Sequence, residues 1–293
     1  MSTAALSVTP GVKIKNILFA TDFSDASLHA LPFVTCLAKK MGASICLCHI
    51  VTPNALVESA PEVAPALYDS LRKEAEAELG SLAGPLKSAG LAPRTILRSG
   101  PICDELREIV ANEKIDLVVA GTHGRTGVRR MLLGSVVEEI CRVAECAVLT
   151  VGPSLAPRKE IGFKRILFPT DLSEDSRKIV PYLRGIAEEY RAKVTVLHIL
   201  PEDLITNPDA PKLAEPIRRT MIHTLEKELA GLETEFLIGF GDTVEAILST
   251  ARSKGADLIA MGIHNAFLPG IQLRSSVVYR ILAGAECPVL TYR

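Results

Sequence analysis

The sequence predicts an α/β chain of two tandem doubly wound domains, each a five-stranded parallel sheet with helices on both faces. The chain repeats itself once, each repeat alternates strand-like and helix-like patterns, and the composition supports two apolar cores. Residues 15–27 read KNILFATDFSDAS and residues 164–176 read KRILFPTDLSEDS, an offset of 149 that still holds at His49 and His198. Further on, IDLVVAGTHG at 115–124 matches ADLIAMGIHN at 256–265, and ECAVLTV at 145–151 matches ECPVLTY at 286–292, at an offset of 141. The second copy is thus eight residues shorter, and the loss falls between about residues 53 and 93. So long a period marks a domain duplication, not a solenoid. Gly152–Gly162, with Pro153 and Pro157, reads as the linker. The expected domains are 1–153 and 162–293.

In the first copy, Ile17–Ala20 is a short apolar run, a candidate buried strand. Ser24 can cap the helix that follows, in which Leu28, Leu31, Val34, Leu37 and Met41 recur at helical spacing. Ile45–Ile50 is the second strand. Leu67, Leu71, Ala75, Leu79, Leu82 and Leu86 mark a long amphipathic helix, and Thr95–Arg98 a third strand. Gly100-Pro101 opens a helix with proline near its first turn. Leu117–Ala120 is the fourth strand, and a helix from Ser135 to about Val143 precedes the fifth, Ala147–Val151. Five β runs separated by helical patterns imply a parallel sheet, and right-handed crossovers cover both its faces. Ligands of such sheets sit beyond the carboxyl ends of the strands, at the switch point. Here that edge holds Ala20-Thr21-Asp22 and the loop from Gly121.

Composition excludes several functions. Of 293 residues, 48% are apolar and 23% charged, so the chain is globular. Lys plus Arg is 33 against Asp plus Glu 34, a net charge of −1, so there is no basic field for nucleic acid. With no Trp, 5 Tyr and 8 Phe, stacking platforms for single strands are not expected either. No run approaches the roughly 20 apolar residues of a membrane helix. Met1–Pro10 has no Lys or Arg and no sustained apolar stretch, unlike a secretory signal. Seven cysteines, Cys36, Cys46, Cys48, Cys103, Cys141, Cys146 and Cys287, form no CxxC, which suits a reducing cytoplasm. Cys46 and Cys48 alternate within a strand-like run and read as small buried hydrophobes.

Residues 121–136, GTHGRTGVRRMLLGSV, hold the phosphate-binding candidate. Gly121, Gly124, Gly127 and Gly134 punctuate a loop after a strand, and Gly134-Ser135 opens a helix. Glycines let backbone approach phosphate oxygens, and free amides at a helix start donate to them along the dipole. Ser135 can cap the helix or bind a phosphate, while Arg125, Arg129 and Arg130 add charge beside the loop. An ordinary glycine-rich turn with a serine cap has the same residues. The loop is neither GxxxxGK[ST] nor GxGxxG, and no lysine is placed to grip a terminal phosphate, so efficient hydrolysis is not implied.

The motif Gly, two residues, Gly, nine residues, Gly-Ser, set after ATDFS in the same copy, resembles that of the universal stress protein family. The chain is similar to a tandem member of it, over about residues 13–152 and 162–293. The resemblance implies a Rossmann-like domain of the adenine-nucleotide-binding type and a role in the stress response. It implies adenosine near Ala20, Thr21, Asp22 and Ile50, and phosphates on Gly121, Gly124, Gly134, Ser135 and Val136. The implied cofactor is ATP, with or without Mg2+, one per chain. Asp22 would also suit the helix dipole without touching a ligand. Thr21 reads as structural and His123 as a solvent-exposed loop histidine.

The second copy departs from the pattern. Gly262 survives, but Asn265 and Ser275 replace the second and third glycines, with Ser276 after them, and Pro169 replaces Ala20. Arg274 is a candidate to fill that pocket, and Asp171 reads as structural. The expectation is therefore a nucleotide-binding stress regulator with one site per chain, not an enzyme. The alternative is a nucleotide-free interaction protein of the same fold. An adenylating ligase would need a loop such as SGGxDS, which is absent, and the histidines show no metal-ligand spacing. Ala147–Val151 and Pro288–Tyr292 are apolar runs, each last in its expected sheet, and an exposed edge of that kind invites pairing. The family resemblance likewise implies pairing through the fifth strands. An intramolecular pseudo-dimer is expected, with a homodimer of the chain also open.

Overall fold

Apolar runs bounded by turn residues form the strands. In the computed structural model, which describes residues 10–52, 64–122, 134–152, 161–201, 210–263 and 276–293, the chain divides into two compact units. One is Ile14–Ile161. The other is Gly162–Arg293 together with the described N-terminal residues 10–13.

The first unit contains β1 (Asn16–Ala20), β2 (Ser44–Val51), β3 (Arg94–Ser99), β4 (Leu117–Gly121) and β5 (Ala147–Val151). All pair in parallel, in the order β3-β2-β1-β4-β5. The chain winds from β1 outward to β3, then crosses to β4 on the other side of β1. The switch point therefore lies between β1 and β4, where Ala20 is in register with Ala120. Ile17, Leu18 and Phe19 and all of β4 are buried, as expected for strands covered on both faces. The helices are α1 (Asp25–Leu28), α2 (Leu31–Met41), α3 (Ala64–Ser88), α4 (Ile102–Asn112) and α5 (Ser135–Val143).

The second unit repeats this order as β8-β7-β6-β9-β10, again parallel. Its strands are β6 (Arg165–Pro169), β7 (Lys193–Leu200), β8 (Glu233–Phe240), β9 (Leu258–Gly262) and β10 (Val289–Tyr292). Its helices are α6 (Glu174–Arg177), α7 (Val180–Tyr190), α8 (Ala210–Leu225), α9 (Thr243–Lys254) and α10 (Val277–Gly284).

Two elements differ from the sequence expectation. The periodic stretch from Leu28 to Met41 is two helices, broken at His29-Ala30. Pro32, in the first turn of α2, has no N–H to continue the ladder, so one helix cannot run through. The eight-residue deficit falls largely in a helix: α3 has 25 residues and its counterpart α8 has 16. On α3 the buried stripe is Ala75, Leu79, Ala83 and Leu86.

Each central strand is fixed at its start by one aspartate. Asp116 Oδ2 accepts from the Lys15 and Asn16 amides at 2.7 and 2.9 Å. Asp257, 6% exposed, accepts from the Lys164 and Arg165 amides at 2.9 and 3.0 Å. All seven cysteines are free thiols, with Cys46 and Cys48 buried in β2. Among the described residues no helix is long and apolar enough to cross a membrane.

Candidate functional site

The carboxyl edge of the first sheet is built around the turn that leaves β1. The Thr21 amide donates to Cys48 O, continuing the β1–β2 ladder by one bond. Thr21 is buried. Its Oγ1 accepts from the Phe23 amide at 3.0 Å and lies 2.9 Å from Ser27 Oγ. Ser27 Oγ donates to Ser24 O, so the Thr21 hydroxyl is the donor to Ser27. Thr21 thus ties β1 to the first turn of α1, the structural role its burial suggests.

Asp22 is half-buried on this turn. Its Oδ1 accepts from the Ser24 amide at 3.1 Å and the Ser24 hydroxyl at 2.6 Å. Ser24 caps α1 by accepting from the Ser27 amide. Phe23 sits at φ 63°, a left-handed conformation rare for an aromatic residue. Strain of this kind persists where neighbours over-determine it. Here the Phe23 ring stacks on His49, with centroids 4.5 Å apart. His49 Nδ1 lies 2.8 Å from Thr21 O, a carbonyl that can only accept, so Nδ1 carries the proton. His49 is the residue that sequence reasoning missed here. Its signal was its recurrence as His198 at the strand-one offset. Ala20 and Ile50 are half-buried at the carboxyl ends of β1 and β2.

The other wall comes from β4 and α5. A Cβ on Gly121 would lie 2.5 Å from Ala26 O and 2.6 Å from Ser27 Cα. Gly121 is therefore required for β4 to pack against α1, whatever else it touches. Thr122 O accepts the Gly134 amide at 2.8 Å, which closes the loop back onto the end of β4. Gly134 is the N-cap of α5, at φ −64° and ψ 142°. That conformation suits any residue, so a glycine there is not a backbone requirement. No side chain among the described residues caps α5. The first intrahelical bond at this end runs from the Glu138 amide to Gly134 O, leaving the earlier amides without helical partners. Val136, in this first turn, is 41% exposed. Gly124, His123, Arg125, Gly127, Arg129 and Arg130 lie outside the described residues, as does the side chain of Ser135. The structure thus brings Ala20, Thr21, Asp22 and Gly121 together and sets Gly134 at the end of the same loop.

The second unit keeps the turn. Thr170 Oγ1 lies 2.8 Å from Ser176 Oγ, Leu172 sits at φ 67°, and His198 Nδ1 lies 2.8 Å from Thr170 O. Gly262 packs as Gly121 does, for its Cβ would lie 2.6 Å from Ser176 Cα. This packing accounts for Gly262 surviving in the copy that has lost the motif's second and third glycines. The helix start differs: Ser276 caps α10 by accepting from the Tyr279 amide at 3.2 Å. A cavity of about 360 Å³ remains at this edge. Thr170, Asp171 and Ser276 are among its polar walls, and Leu197, Ile247 and Met261 among its apolar ones. Among the described residues no Lys or Arg lines it. Asn265, Arg274 and Ser275 lie outside the described residues. At the amino edge of the first sheet, a groove of about 420 Å³ has Lys39 as its one charged lining residue among the described residues.

Comparison with known proteins agrees with the repeat. The model of the universal stress protein family matches residues 13–152 and again 162–293. Universal stress protein MJ0531 of Methanocaldococcus jannaschii is 34% identical over 147 residues, 50% of this chain and 85% of that protein. Universal stress protein Slr1230 of Synechocystis is 26% identical over 306 residues, 96% of this chain and all of that protein. A universal stress protein from Archaeoglobus fulgidus has the same fold, with a TM-score of 0.75 at 20% identity, covering 96% of this chain and 99% of that one.

Proposed function

Because the chain belongs to the universal stress protein family and carries two of its domains in tandem, we propose that its N-terminal copy binds an adenine nucleotide, ATP foremost, at one site per chain. In this reading the protein regulates a stress response and is not an efficient catalyst. The observation that carries the reading is the contrast between two equivalent helix starts. In the second copy Ser276 satisfies an amide of α10 internally. In the first copy α5 begins at a glycine, with no side-chain cap among the described residues. Uncapped amides at a helix start, beside the switch point, suit a phosphate. The half-buried carboxylate of Asp22 lies on the neighbouring turn, where a nucleoside donor would reach it.

The residues assigned to the nucleotide are Ala20, Thr21, Asp22, Ile50, Gly121, Gly124, Gly134, Ser135 and Val136. Of these, Thr21 and Gly121 serve the site by holding the turn and β4 in place. Among the described residues no three His, Cys, Asp or Glu side chains gather to hold a metal ion. A Mg2+ accompanying ATP would take its ligands chiefly from phosphate oxygens and water. No residue is assigned to hydrolysis.

The cavity beside Asp171 supports a second reading, in which the C-terminal copy also takes a ligand. Its lining among the described residues is mostly apolar and holds no cation, which favours a less charged ligand than a triphosphate. A nucleotide-free interaction protein is the remaining alternative. Mass spectrometry of small molecules released by denaturing the purified protein tests all three. An adenine nucleotide near one equivalent supports the proposal, two equivalents support the second reading, and none favours the interaction protein. We also infer, from the family and from β5 and β10 being last in their own units, that the two copies pair through these strands.

A further inference from the structure

The cavity at the carboxyl edge of the second unit lies wholly within that unit, apart from the residues assigned to the first copy's nucleotide. It is walled by the carboxyl ends of β6, β7 and β9, the turn into α6, and the first turns of α9 and α10. Its polar groups differ in what they offer a ligand. Thr170 Oγ1 accepts the Leu172 amide at 3.0 Å and donates to Ser176 Oγ, which donates to Ser173 O, so both hydroxyls serve the turn. His198 Nδ1 donates to Thr170 O at 2.8 Å, which leaves Nε2 of the neutral ring as an acceptor. The Asp171 carboxylate accepts the Ser173 amide at 3.1 Å and has no proton to give. A ligand here must therefore bring hydrogen-bond donors. Pro169, Leu197, Ile247, Met261 and Val277 give the wall its apolar surface, and Val277 is 38% exposed, a surface that a ligand would cover. A volume of about 360 Å³ is that of a site for one small molecule.

We propose that this cavity binds a nucleoside, the phosphate-free counterpart of the first copy's ligand. The choice of class rests on the adenine-nucleotide reading of the first copy, whose turn is repeated here in Thr170, Leu172 and His198. The part of the site that would meet base and ribose is kept. The part that would meet phosphate is changed, for Ser276 takes an amide of α10 and no Lys or Arg lines the cavity among the described residues. A base amino group and ribose hydroxyls are donors suited to His198 Nε2 and the Asp171 carboxylate. The base itself supplies an apolar face for Leu197, Ile247 and Met261. An uncharged ligand needs no countercharge at the helix start. The chain then distinguishes a nucleotide in one copy from its dephosphorylated form in the other.

Equilibrium dialysis of labelled adenosine against the full-length protein, held in saturating ATP, tests this. One equivalent of adenosine per chain is expected beyond the ATP, with AMP binding this site at least tenfold more weakly. Asp171→Ala, at an exposed position, and Ile247→Phe, which fills the cavity from α9, should each weaken adenosine at least tenfold and leave the ATP stoichiometry at one. No uptake at millimolar adenosine, AMP binding as tight as adenosine, or uptake unchanged in Asp171→Ala overturns the proposal. An adenosine equivalent that Asp171→Ala removes, in a chain that takes up no ATP, supports this site and rejects the first-copy reading. One equivalent of ATP with no adenosine does the reverse.

Discussion

Gly121 carries a packing demand, and experiment can separate it from the proposed nucleotide role. Its missing side chain lets β4 lie against Ala26 and Ser27, and Gly262 does the same against Ser176. Gly121→Ala and Gly262→Ala should each destabilise the nucleotide-free protein by about 1–3 kcal/mol through overpacking, read by urea unfolding. A neutral Gly262→Ala would show that the contact relaxes at no cost. The glycine was legible in the sequence as part of a phosphate motif. Its packing role was not, because the atoms it meets are about ninety-five positions away in the chain. The aspartates that start β1 and β6 were silent for the same reason. Asp257→Ala leaves two strand amides without a charged acceptor and should cost about 1.5–3 kcal/mol, measured as a fall in the denaturation midpoint. The thiols give a pH dependence. Burial pushes Cys48 and Cys146 from an ordinary 9.0 up to about 12. A thiol with a raised pKa in the fold favours the fold fully below its unfolded value, and that contribution is lost as pH rises through the folded value. Stability should therefore decline between about pH 9 and 12, and both thiols should resist alkylation at pH 8 until the protein unfolds. Rapid labelling of either in the native protein would contradict their burial.

Among the elements, α5 and α10 are the informative pair. Equal in position, they start differently, and nucleotide binding should follow the difference. Gly134→Val sets a branched side chain at the helix start where backbone must approach phosphate. Affinity for ATP should fall tenfold or more, about 1.4 kcal/mol, in a direct titration. The same change at Ser275 should leave binding nearly unaltered, and equal losses at both would assign a site to each copy. Ser276→Ala should instead remove a cap and destabilise the second unit by about 1 kcal/mol. The α5 boundaries and the fourth and fifth strands were readable from periodicity and caps. The break at His29-Ala30 was not, because apolar spacing continues across it. Only Pro32 marked the stop, and a proline in a first turn also suits a helix that starts there.

For the whole molecule, duplication was the most legible feature, since two copies of one pattern specify each other. The grouping of residues 10–13 with the second unit left no mark in periodicity or composition. It involves a close backbone approach of two glycines, Gly11 and Gly185, that read alone as ordinary loop and helix positions. The proposed pairing through β5 and β10 predicts that a fragment of residues 1–161 dimerises in light scattering, and a strictly monomeric fragment at high concentration would argue for independent copies. The central claim is a single adenine-nucleotide site in the N-terminal copy. Its most direct test is calorimetric titration of ATP into the full-length protein, shown beforehand to be nucleotide-free. A stoichiometry near one per chain is the predicted result; a value near two, or no heat at millimolar ATP, would contradict it.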